Sequence, residues 1–376
     1  MASYKITFTP AEPWFFGNEK RFLFSNESSD SYGKQYYIKS ELMPSQSTVL
    51  GALRYILIPN KKLKYAYTDD DRRTNEEYIG KGSFNIDAAE VQSFGKIKSI
   101  SPVFLIKNKT EVLIPAPLDH KTKWHTENDS GENKTYTPFA DYGSCTTAAG
   151  KKLYAKDYVA KDELFGGFVS LADDSVIKND DIFVVDGKVG INRSDKENGF
   201  FKKDCISFKN LLKTEQGTVP QSFSFAVYAD IDIDDLDGKT FAVTLGQGKS
   251  PFAFSFTKEE NTFKDRVTEF MKKHIEPLFK NEEVKGCTYV YCPADAYITT
   301  PYNENTLFAV TQTKDYRAYL TNPDGSIKKG DRLHRFIKAG SVFIVKDETE
   351  WKKIAENKNA EQTGNNNFYY IEGEAK

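Results

Sequence analysis

The sequence predicts an α+β protein built from two ferredoxin-like (RRM-like) domains with inserted loops and a β-hairpin. Three observations lead to this class. Short runs of alternating polar and apolar residues indicate half-buried strands, and two apolar stripes at helical spacing indicate amphipathic helices. In each half of the chain these elements follow the order strand, helix, strand. We detect no sequence repeat between the halves, so the duplication is inferred from element order alone.

The first predicted domain, residues 1–236, opens with a strand and a helix. Residues 4–9 alternate in polarity, and Pro10 and Pro13 end the strand because proline lacks the ladder donor. Ser45 or Ser47 can cap the helix. Its buried stripe is predicted to contain Val49, Leu50, Leu53, Ile56 and Leu57. Gly51 within this helix costs about 1 kcal/mol relative to alanine, which predicts close approach by a strand or a nucleic-acid backbone.

Further along this domain, strands are predicted at residues 97–107 and 111–115. Residues 120–150 are polar and lack an apolar period, so they are predicted to form an inserted loop. Residues 181–193 are predicted to form a β-hairpin, with Asp186 and Gly187 in a type I′ turn between two apolar runs. Residues 223–233 are the predicted last strand of the domain.

The second predicted domain, residues 237–376, begins with a strand at 241–245 and a glycine-containing stretch at 246–250. A helix follows, with Thr257 and Glu260 at capping-box spacing. Pro277 marks its end, and strands are predicted at 287–291 and 341–345. The buried stripe of this helix is predicted to contain Phe263, Val267, Phe270, Met271, Ile275 and Leu278.

Composition indicates a folded protein and limits the choice of partners. The 376 residues include 28 Phe and 21 Tyr, and no apolar stretch approaches the roughly 20 residues of a membrane span. We therefore expect no membrane contact, and because the N-terminus lacks a signal-peptide pattern we expect a cytoplasmic protein. The net charge of -2 argues against a general nucleic-acid binder. Local basic segments at 188–203 and 328–338 leave room for a local RNA groove, and the acidic segment 230–237 is a candidate protein contact.

Evidence for catalysis or a metal site is weak. The stretch at 245–250 lacks the spacing of a phosphate-binding loop. Cys287 and Cys292 are five residues apart in a predicted strand and so face opposite sides, which prevents them from chelating one ion. We expect no metal, no cofactor and no catalytic residue. Among the four histidines, His334 is the one plausible general base.

Two segments near the start of the chain resemble a known family. Residues 9–17 read Thr-Pro-Ala-Glu-Pro-Trp-Phe-Phe-Gly, and residues 44–54 read Pro-Ser-Gln-Ser-Thr-Val-Leu-Gly-Ala-Leu-Arg. Together they resemble the opening of the crRNA-handle-binding subunit of the type III-B (Cmr) CRISPR effector, a RAMP-superfamily protein of the Cas-five-like group. Residues 188–193, followed by Gly199, Phe200 and Phe201, are similar to a second motif of that family.

The resemblance implies a non-catalytic RNA-binding subunit that holds the repeat-derived 5′ handle of crRNA. Its implied partners are the crRNA, the large polymerase/cyclase subunit and a backbone RAMP subunit of the effector. Phosphates would be held by helix-start N–H groups, arginines and the 328–338 cluster, and bases would stack on aromatic rings. The implied RNA-binding residues are Trp14, Phe16, Arg21, Ser47, Thr48, Arg54, Gly190, Asn192, Arg193, Phe200, Lys249, Arg332, His334 and Arg335.

Two other classes of function remain open at this stage. The first is a metal-independent crRNA-processing endonuclease of the same superfamily, which would depend on His334. The second is a protein-interaction scaffold without RNA contact, which the slightly acidic pI of about 6.2 favours. The chain also departs from RAMP proteins at its C-terminus, where the family often has a glycine-rich loop and residues 363–368 are rich in asparagine.

Overall fold

The computed structural model describes residues 1–24, 35–59, 68–121, 135–158, 164–194, 197–214, 217–246, 249–317, 319–321, 327–330 and 332–373. Helices are α1 (Gln46–Leu57), α2 (Asp69–Ile79), α3 (Asn179–Ile182), α4 (Phe263–Ile275), α5 (Glu348–Ala355) and α6 (Lys358–Gln362). Strands up to residue 231 are β1 (Ala2–Pro10), β2 (Phe16–Phe24), β3 (Gln35–Glu41), β4 (Ile97–Ile100), β5 (Phe104–Lys107), β6 (Glu111–Pro115), β7 (Tyr142–Thr147), β8 (Gly150–Ala155), β9 (Gly167–Ser170), β10 (Val176–Lys178), β11 (Phe183–Ser194), β12 (Glu197–Phe208), β13 (Leu211–Thr214), β14 (Gly217–Pro220) and β15 (Phe223–Ile231). Later strands are β16 (Thr240–Leu245), β17 (Ser250–Lys258), β18 (Thr288–Tyr291), β19 (Thr306–Val310), β20 (Thr313–Tyr316), β21 (Tyr319–Thr321), β22 (Ile327–Lys329), β23 (His334–Ile337), β24 (Val342–Val345) and β25 (Tyr369–Glu372).

The largest sheet has nine strands in the order β10-β9-β6-β5-β15-β1-β17-β16, with β4 also paired to β15. Strand β1 lies in the middle of this sheet, antiparallel to β15 on one side and to β17 on the other. Its even-numbered residues from Ala2 to Phe8 are buried, and most of its odd-numbered residues are half-buried. The predicted alternation of this strand is therefore confirmed.

Helix α1 covers one face of the large sheet. All five residues of its predicted stripe are buried and belong to one core cluster with Tyr4, Ile6 and Phe8 of β1. Ser45 is the N-cap, and its hydroxyl accepts a hydrogen bond from the Thr48 amide. Gly51 differs from the expectation, because a Cβ there would meet no atom of the described chain within 4 Å.

Helix α4 covers the opposite face and separates the large sheet from a second sheet. It shares a core cluster with Phe104 and Tyr228 of the large sheet and with Tyr289 and Ile344 of the sheet β19-β24-β18-β25. Its predicted stripe is confirmed, since every member from Phe263 to Leu278 is buried. The α-helix ends at Ile275, and a 3₁₀ turn, Glu276–Lys280, takes Pro277 at its start.

A separate four-stranded sheet, in the order β11-β12-β3-β2, contains the second family-like segment. β11 and β12 form a long antiparallel pair, while β12 and β3 run parallel. β11 is an edge strand of this sheet. An isolated bridge between Trp14 and Ile206 connects the sheet to the segment that follows β1.

The predicted turn at Asp186 and Gly187 is wrong. Both residues lie inside β11, with Asp186 opposite Cys205 and Gly187 opposite Asp204, and the reversal falls after Ser194. An Asp-Gly pair favours a turn only locally. Here the strands continue on both sides, and twelve paired positions between β11 and β12 outweigh the local preference.

Three other boundaries also differ from the sequence-based expectation. Residues 122–134 of the predicted insertion lie outside the described residues, but 142–155 form the β7–β8 hairpin, and Tyr136 and Phe139 are buried. Thr257 does not cap a helix, because it belongs to β17. Helix α4 begins later, at Phe263, and has no side-chain cap. The strand predicted at 97–107 is divided into β4 and β5 at Pro102.

The predicted α+β class is confirmed, with sheets that are mostly antiparallel. The division into two ferredoxin-like domains stays a prediction. The large sheet spans the predicted boundary between residues 236 and 237, because β17 pairs with β1 and β16 pairs with β17. Among the described residues, no helix is long and apolar enough to cross a membrane.

Candidate nucleic-acid interface

The start of α1 brings three hydroxyl groups together. The Ser45 hydroxyl lies 3.0 Å from that of Ser47 and 2.9 Å from that of Thr48. The first amides of a helix lack intrahelical partners and carry the positive end of the helix dipole. Ser47 and Thr48, both predicted RNA contacts, are therefore half-buried groups at a position that suits an anion.

The structure joins this helix start to the predicted basic segment of the second half. Tyr316 of β20 donates a hydrogen bond from its hydroxyl to the Ser47 hydroxyl at 3.1 Å. Its ring lies 6.2 Å from the His334 ring on β23, the partner strand of β20. Ser47 and His334, almost 290 residues apart in the sequence, thus both lie beside Tyr316.

His334 is held in a buried polar cluster. Its Nδ1 lies 3.1 Å from the Tyr297 hydroxyl, which in turn donates to Asp87 at 3.0 Å. Asp87 also pairs with Arg332 at 2.9 Å. Burial lowers the pKa of His334, with the Asp87 carboxylate opposing the shift. Only 5% of His334 is exposed, so its predicted role as an RNA contact is corrected to a structural one: the ring has little surface to offer RNA.

Arg332 and Arg335, the two other predicted RNA contacts in this region, are both exposed and each lies beside a carboxylate. Arg332 is two-thirds exposed beyond its pair with Asp87. Arg335 is also exposed, and its Nε lies 3.3 Å from Asp315 on β20. Both arginines can therefore reach a phosphate only in competition with a carboxylate.

Lys249, another predicted RNA contact, is exposed in the turn between β16 and β17, with a positive φ of 50°.

The rings of Trp14 and Phe16 are core residues. Trp14 is completely buried and packs its ring 4.8 Å from Phe208 and 5.3 Å from Phe225. Phe16 is 5% exposed and stacks 6.0 Å from Phe252. A base has no ring face to contact at either position, so the stacking role predicted for these two residues is corrected to a packing role.

Arg54 is likewise engaged within the chain. Its Nη2 donates to the carbonyl oxygens of Gly80 at 3.2 Å and Gly82 at 2.7 Å, and burial lowers its pKa. The guanidinium therefore fixes the segment after α2. These two bonds use only Nη2, so the phosphate contact of Arg54 stays a prediction for the other N–H groups of the guanidinium.

The remaining predicted residues lie in the four-stranded sheet. Asn192 is opposite Gly199, Arg193 opposite Asn198, and Phe200 opposite Ile191, while Arg21 on β2 is opposite Ile38. The side chains of Arg21, Asn192, Arg193 and Phe200 lie outside the described residues. Gly190 is explained by packing, because a Cβ there would lie 2.3 Å from the Phe201 ring.

Sequence reasoning missed the lysines that surround Tyr37 on this sheet. Lys202 is opposite Tyr37 across β12 and β3, and its Nζ lies 5.3 Å from the centre of the tyrosine ring. Lys39 lies two residues along β3, with its Nζ 5.7 Å from the same ring. The Tyr37 hydroxyl donates to Asp204, which raises its pKa. Residues 36–38, Tyr-Tyr-Ile, are aromatic or β-branched, and this enrichment was a usable signal for the strand.

A third lysine lies near the same sheet. The Nζ of Lys203 is 4.7 Å from the centre of the buried Phe15 ring. Lys188 of β11 is opposite Lys203, and both Lys39 and Lys202 are exposed. Because side chains alternate along a strand, Lys39 and Lys202 lie on the same side of the sheet β11-β12-β3-β2 as Tyr37, and we call this side the lysine face (Lys39 and Lys202). Lys188 and Lys203 lie on the opposite side. Within the ranges that the structure describes, no group of three or more His, Cys, Asp or Glu side chains could hold a metal.

The molecule is thus an α+β protein with mostly antiparallel sheets, and a mixed sheet presents lysines around a half-buried tyrosine. A model of the family described as CRISPR-associated protein (Cas_Cmr3) matches residues 6–275, which is more than half of the chain. The chain belongs to this family of CRISPR-associated proteins. The resemblance drawn from the sequence is confirmed.

Two solved structures are also similar to the chain. One is a chain in the cryo-EM structure of the type III-B Cmr-beta complex bound to cognate target RNA, with 12% identity, a TM-score of 0.47, and 98% of this chain and 99% of that chain covered. The other is in the same complex bound to cognate target RNA and AMPPnP, with 12% identity, a TM-score of 0.44 and the same coverage. No curated protein matches the chain.

Proposed function

We propose that this protein is a non-catalytic RNA-binding subunit of a type III-B CRISPR effector that holds the repeat-derived 5′ handle of crRNA. The family match supports the assignment to the effector. The observation that carries RNA binding is the position of Tyr37 between Lys39 and Lys202 on an exposed sheet surface. We further propose that the subunit docks the large polymerase/cyclase subunit and a backbone RAMP subunit.

The proposed mechanism is positioning of a single strand. Lysine ammonium groups neutralise phosphates, and an aromatic ring accepts the face of an unstacked base. Lys39 and Lys202 approach the Tyr37 ring from neighbouring positions on β3 and β12. A single-stranded RNA whose phosphates bind both lysines therefore brings its bases beside the ring. The start of α1 with Ser47 and Thr48 supplies a second anion position, and Arg193, at the far end of β11, is proposed as a further phosphate contact.

The acidic segment 230–237 is our proposed contact for a protein partner. Its carboxylates already have partners in the chain: Asp232 lies 3.6 Å from the N-terminal ammonium, and Asp235 lies 2.7 Å from Lys239. Asp235 nevertheless stays highly exposed. A basic partner surface could bind this segment without rearrangement of the sheet, because Asp235 lies beyond the end of β15.

The test is binding of the purified protein, alone and with its co-encoded large subunit, to repeat-derived RNA over a salt series. We expect tight binding that weakens by about 0.7 log units per log salt for each phosphate contacted, with the RNA left intact. Absence of binding in both preparations would overturn the proposal and leave the scaffold without RNA contact.

Variants of the lysine face locate the contact. Lys39→Ala and Lys202→Ala should each reduce the salt slope by about 0.7. Tyr37→Ala should cost roughly 1–3 kcal/mol of binding free energy if a base stacks there, whereas Tyr37→Phe should retain most of it. The matched control is Lys272→Ala, an exposed lysine on α4. Equal losses in the Lys272 variant would show that the effect is general charge and not this site.

One observation favours the endonuclease as a second candidate. The Tyr297 hydroxyl lies 3.1 Å from His334, a pairing that a metal-independent ribonuclease could use for proton transfer. The low exposure of His334 argues against it. Cleavage of repeat RNA that disappears in His334→Ala, in a variant whose melting temperature is unchanged, would favour the endonuclease over the non-catalytic RNA-binding subunit.

A further inference from the structure

Strand β11 is a long edge strand. It has twelve residues and stands at the end of the order β11-β12-β3-β2, so within the described strands it pairs with β12 alone. The outer side of an edge strand presents backbone N–H and C=O groups that another strand can pair with. Proteins commonly block such edges, and β11 instead exposes apolar side chains.

The exposed residues of β11 alternate in a regular way. Val185 is 59% exposed and Val189 74% exposed, and both share a sheet face with Gly187 because they are two residues away from it. Asp186 and Lys188 are exposed on the other face. In the described part of the chain, no ion pair joins either of these two charges to another residue.

This pattern is self-complementary about Gly187. When two copies of a strand pair antiparallel with the same residue opposite itself, each residue n places before the centre faces the residue n places after it. A pair centred on Gly187 places Asp186 opposite Lys188 and Val185 opposite Val189, each twice by the two-fold symmetry. A pair centred instead on Val185 would place Val184 opposite Asp186 and lose the charge match.

We propose that β11 pairs with β11 of a second copy of this chain, antiparallel and centred on Gly187. Charge complementarity carries the proposal. Lys188 lies opposite Lys203 in its own sheet, and like charges directly opposite each other are unfavourable. The second copy brings the Asp186 carboxylate to Lys188 from the free side, and the two four-stranded sheets become one continuous sheet of eight.

Glycine at the centre suits this arrangement. Gly187 has no strong need for glycine within its own chain, since a Cβ there would lie 3.3 Å from the flexible Cε of Lys202. Glycine within a strand often marks a position where another backbone comes close. In the proposed dimer the two copies of Gly187 lie opposite each other at the two-fold axis. Any side chain at this position would face its own copy on the same side of the sheet.

The first measurement is sedimentation velocity of the full chain without RNA over a wide concentration range. One added strand pair is a small contact, below the ~1,200 Å² of standard interfaces, so we expect a concentration-dependent dimer of weak affinity. A protein that stays monomeric at the highest concentration overturns the proposal. The proposed RNA binding does not enter this measurement, so the two can fail separately.

Charge variants then test the register. Asp186→Lys places lysine opposite Lys188, and Lys188→Asp places aspartate opposite Asp186, so each single variant should weaken the dimer on the order of tenfold. The double variant Asp186→Lys/Lys188→Asp restores opposite charges and should dimerise like the parent chain. An equimolar mixture of the two single variants should form a heterodimer, because both charge pairs are complementary between them.

Circular dichroism melting of each single variant, compared with the parent chain, first establishes that both variants fold. Lys264→Asp, a reversal of an exposed lysine on α4, is the matched control and should leave the dimer unchanged. A dimer that is indifferent to the single reversals, or single variants that fail to associate when mixed, would overturn the proposed pairing.

Discussion

At the scale of single residues, Asp119 and His120 are neighbours that respond to pH in opposite directions. Asp119 is completely buried and accepts hydrogen bonds at 2.7 Å from the hydroxyls of Tyr136 and Tyr289. Burial raises its pKa to about 6, although the two hydroxyls oppose the shift. Burial lowers the pKa of His120 to about 4. Asp119 also links the segment that follows β6 to β18 of the second sheet through Tyr289.

These shifts predict opposite effects on the free energy of unfolding. The folded state holds the Asp119 proton more tightly than the unfolded state, so this residue's contribution falls as pH rises from about 4 to about 6. The unfolded state binds the His120 proton more tightly, so its contribution rises with pH over about 4 to 6.5. We expect Asp119→Asn to steepen the gain of stability with pH, and His120→Gln to flatten it.

The measurement is chemical denaturation of the parent chain and both variants at a series of pH values between 4 and 7. The differences from the parent isolate each residue, since all other groups are shared. Parallel curves for Asp119→Asn and the parent would show that Asp119 has an ordinary pKa in the folded protein.

At the scale of elements, the β11–β12 pair shows how local preference yields to long-range pairing. The sequence Asp186-Gly187 favours a turn, yet both residues are paired within the strand. Gly187 and Gly190 of β11 differ in how much space a side chain would have. Gly187 lies beside a flexible lysine, whereas Gly190 lies beneath the Phe201 ring.

This difference predicts a contrast between two matched substitutions. Gly187→Ala should change the free energy of unfolding by less than about 1 kcal/mol, because a strand position accepts alanine. Gly190→Ala should destabilise by roughly 1–3 kcal/mol, because the ring must move. Urea denaturation at a concentration where the chain is monomeric measures both. A large loss at Gly187 with none at Gly190 would instead support a turn at 186–187.

At the scale of the whole molecule, β1 depends on strands from both sides of the predicted domain boundary. Phe8 stacks 5.4 Å from Phe225 on β15 and 4.9 Å from Phe254 on β17. Removal of β16 and β17 would turn the central strand β1 into an edge and expose Ile6 and Phe8 beside it.

We therefore expect a chain of residues 1–236 to lack a cooperative unfolding transition, while the full chain unfolds cooperatively. Circular dichroism melting and dispersion of the amide NMR signals measure this difference. A cooperative transition and dispersed signals in the 1–236 fragment would show that the predicted boundary separates independent domains.

Local patterns in the sequence determined the class of fold and the family. The stripes of α1 and α4, the alternation of β1 and the cap at Ser45 follow from side-chain period and hydrogen-bonding chemistry, which act between residues close in sequence. The Trp-Phe-Phe segment identified the family, but it did so through residues that pack in the core.

Only the tertiary structure decided which residues are available to a ligand. Burial of Trp14, the two carbonyl contacts of Arg54 and the enclosure of His334 all depend on segments far apart in the chain. The same long-range pairing placed Lys39 and Lys202 around Tyr37 across the parallel contact of β3 and β12. Exposure is a property of packing between distant segments, and a local pattern carries no direct record of it.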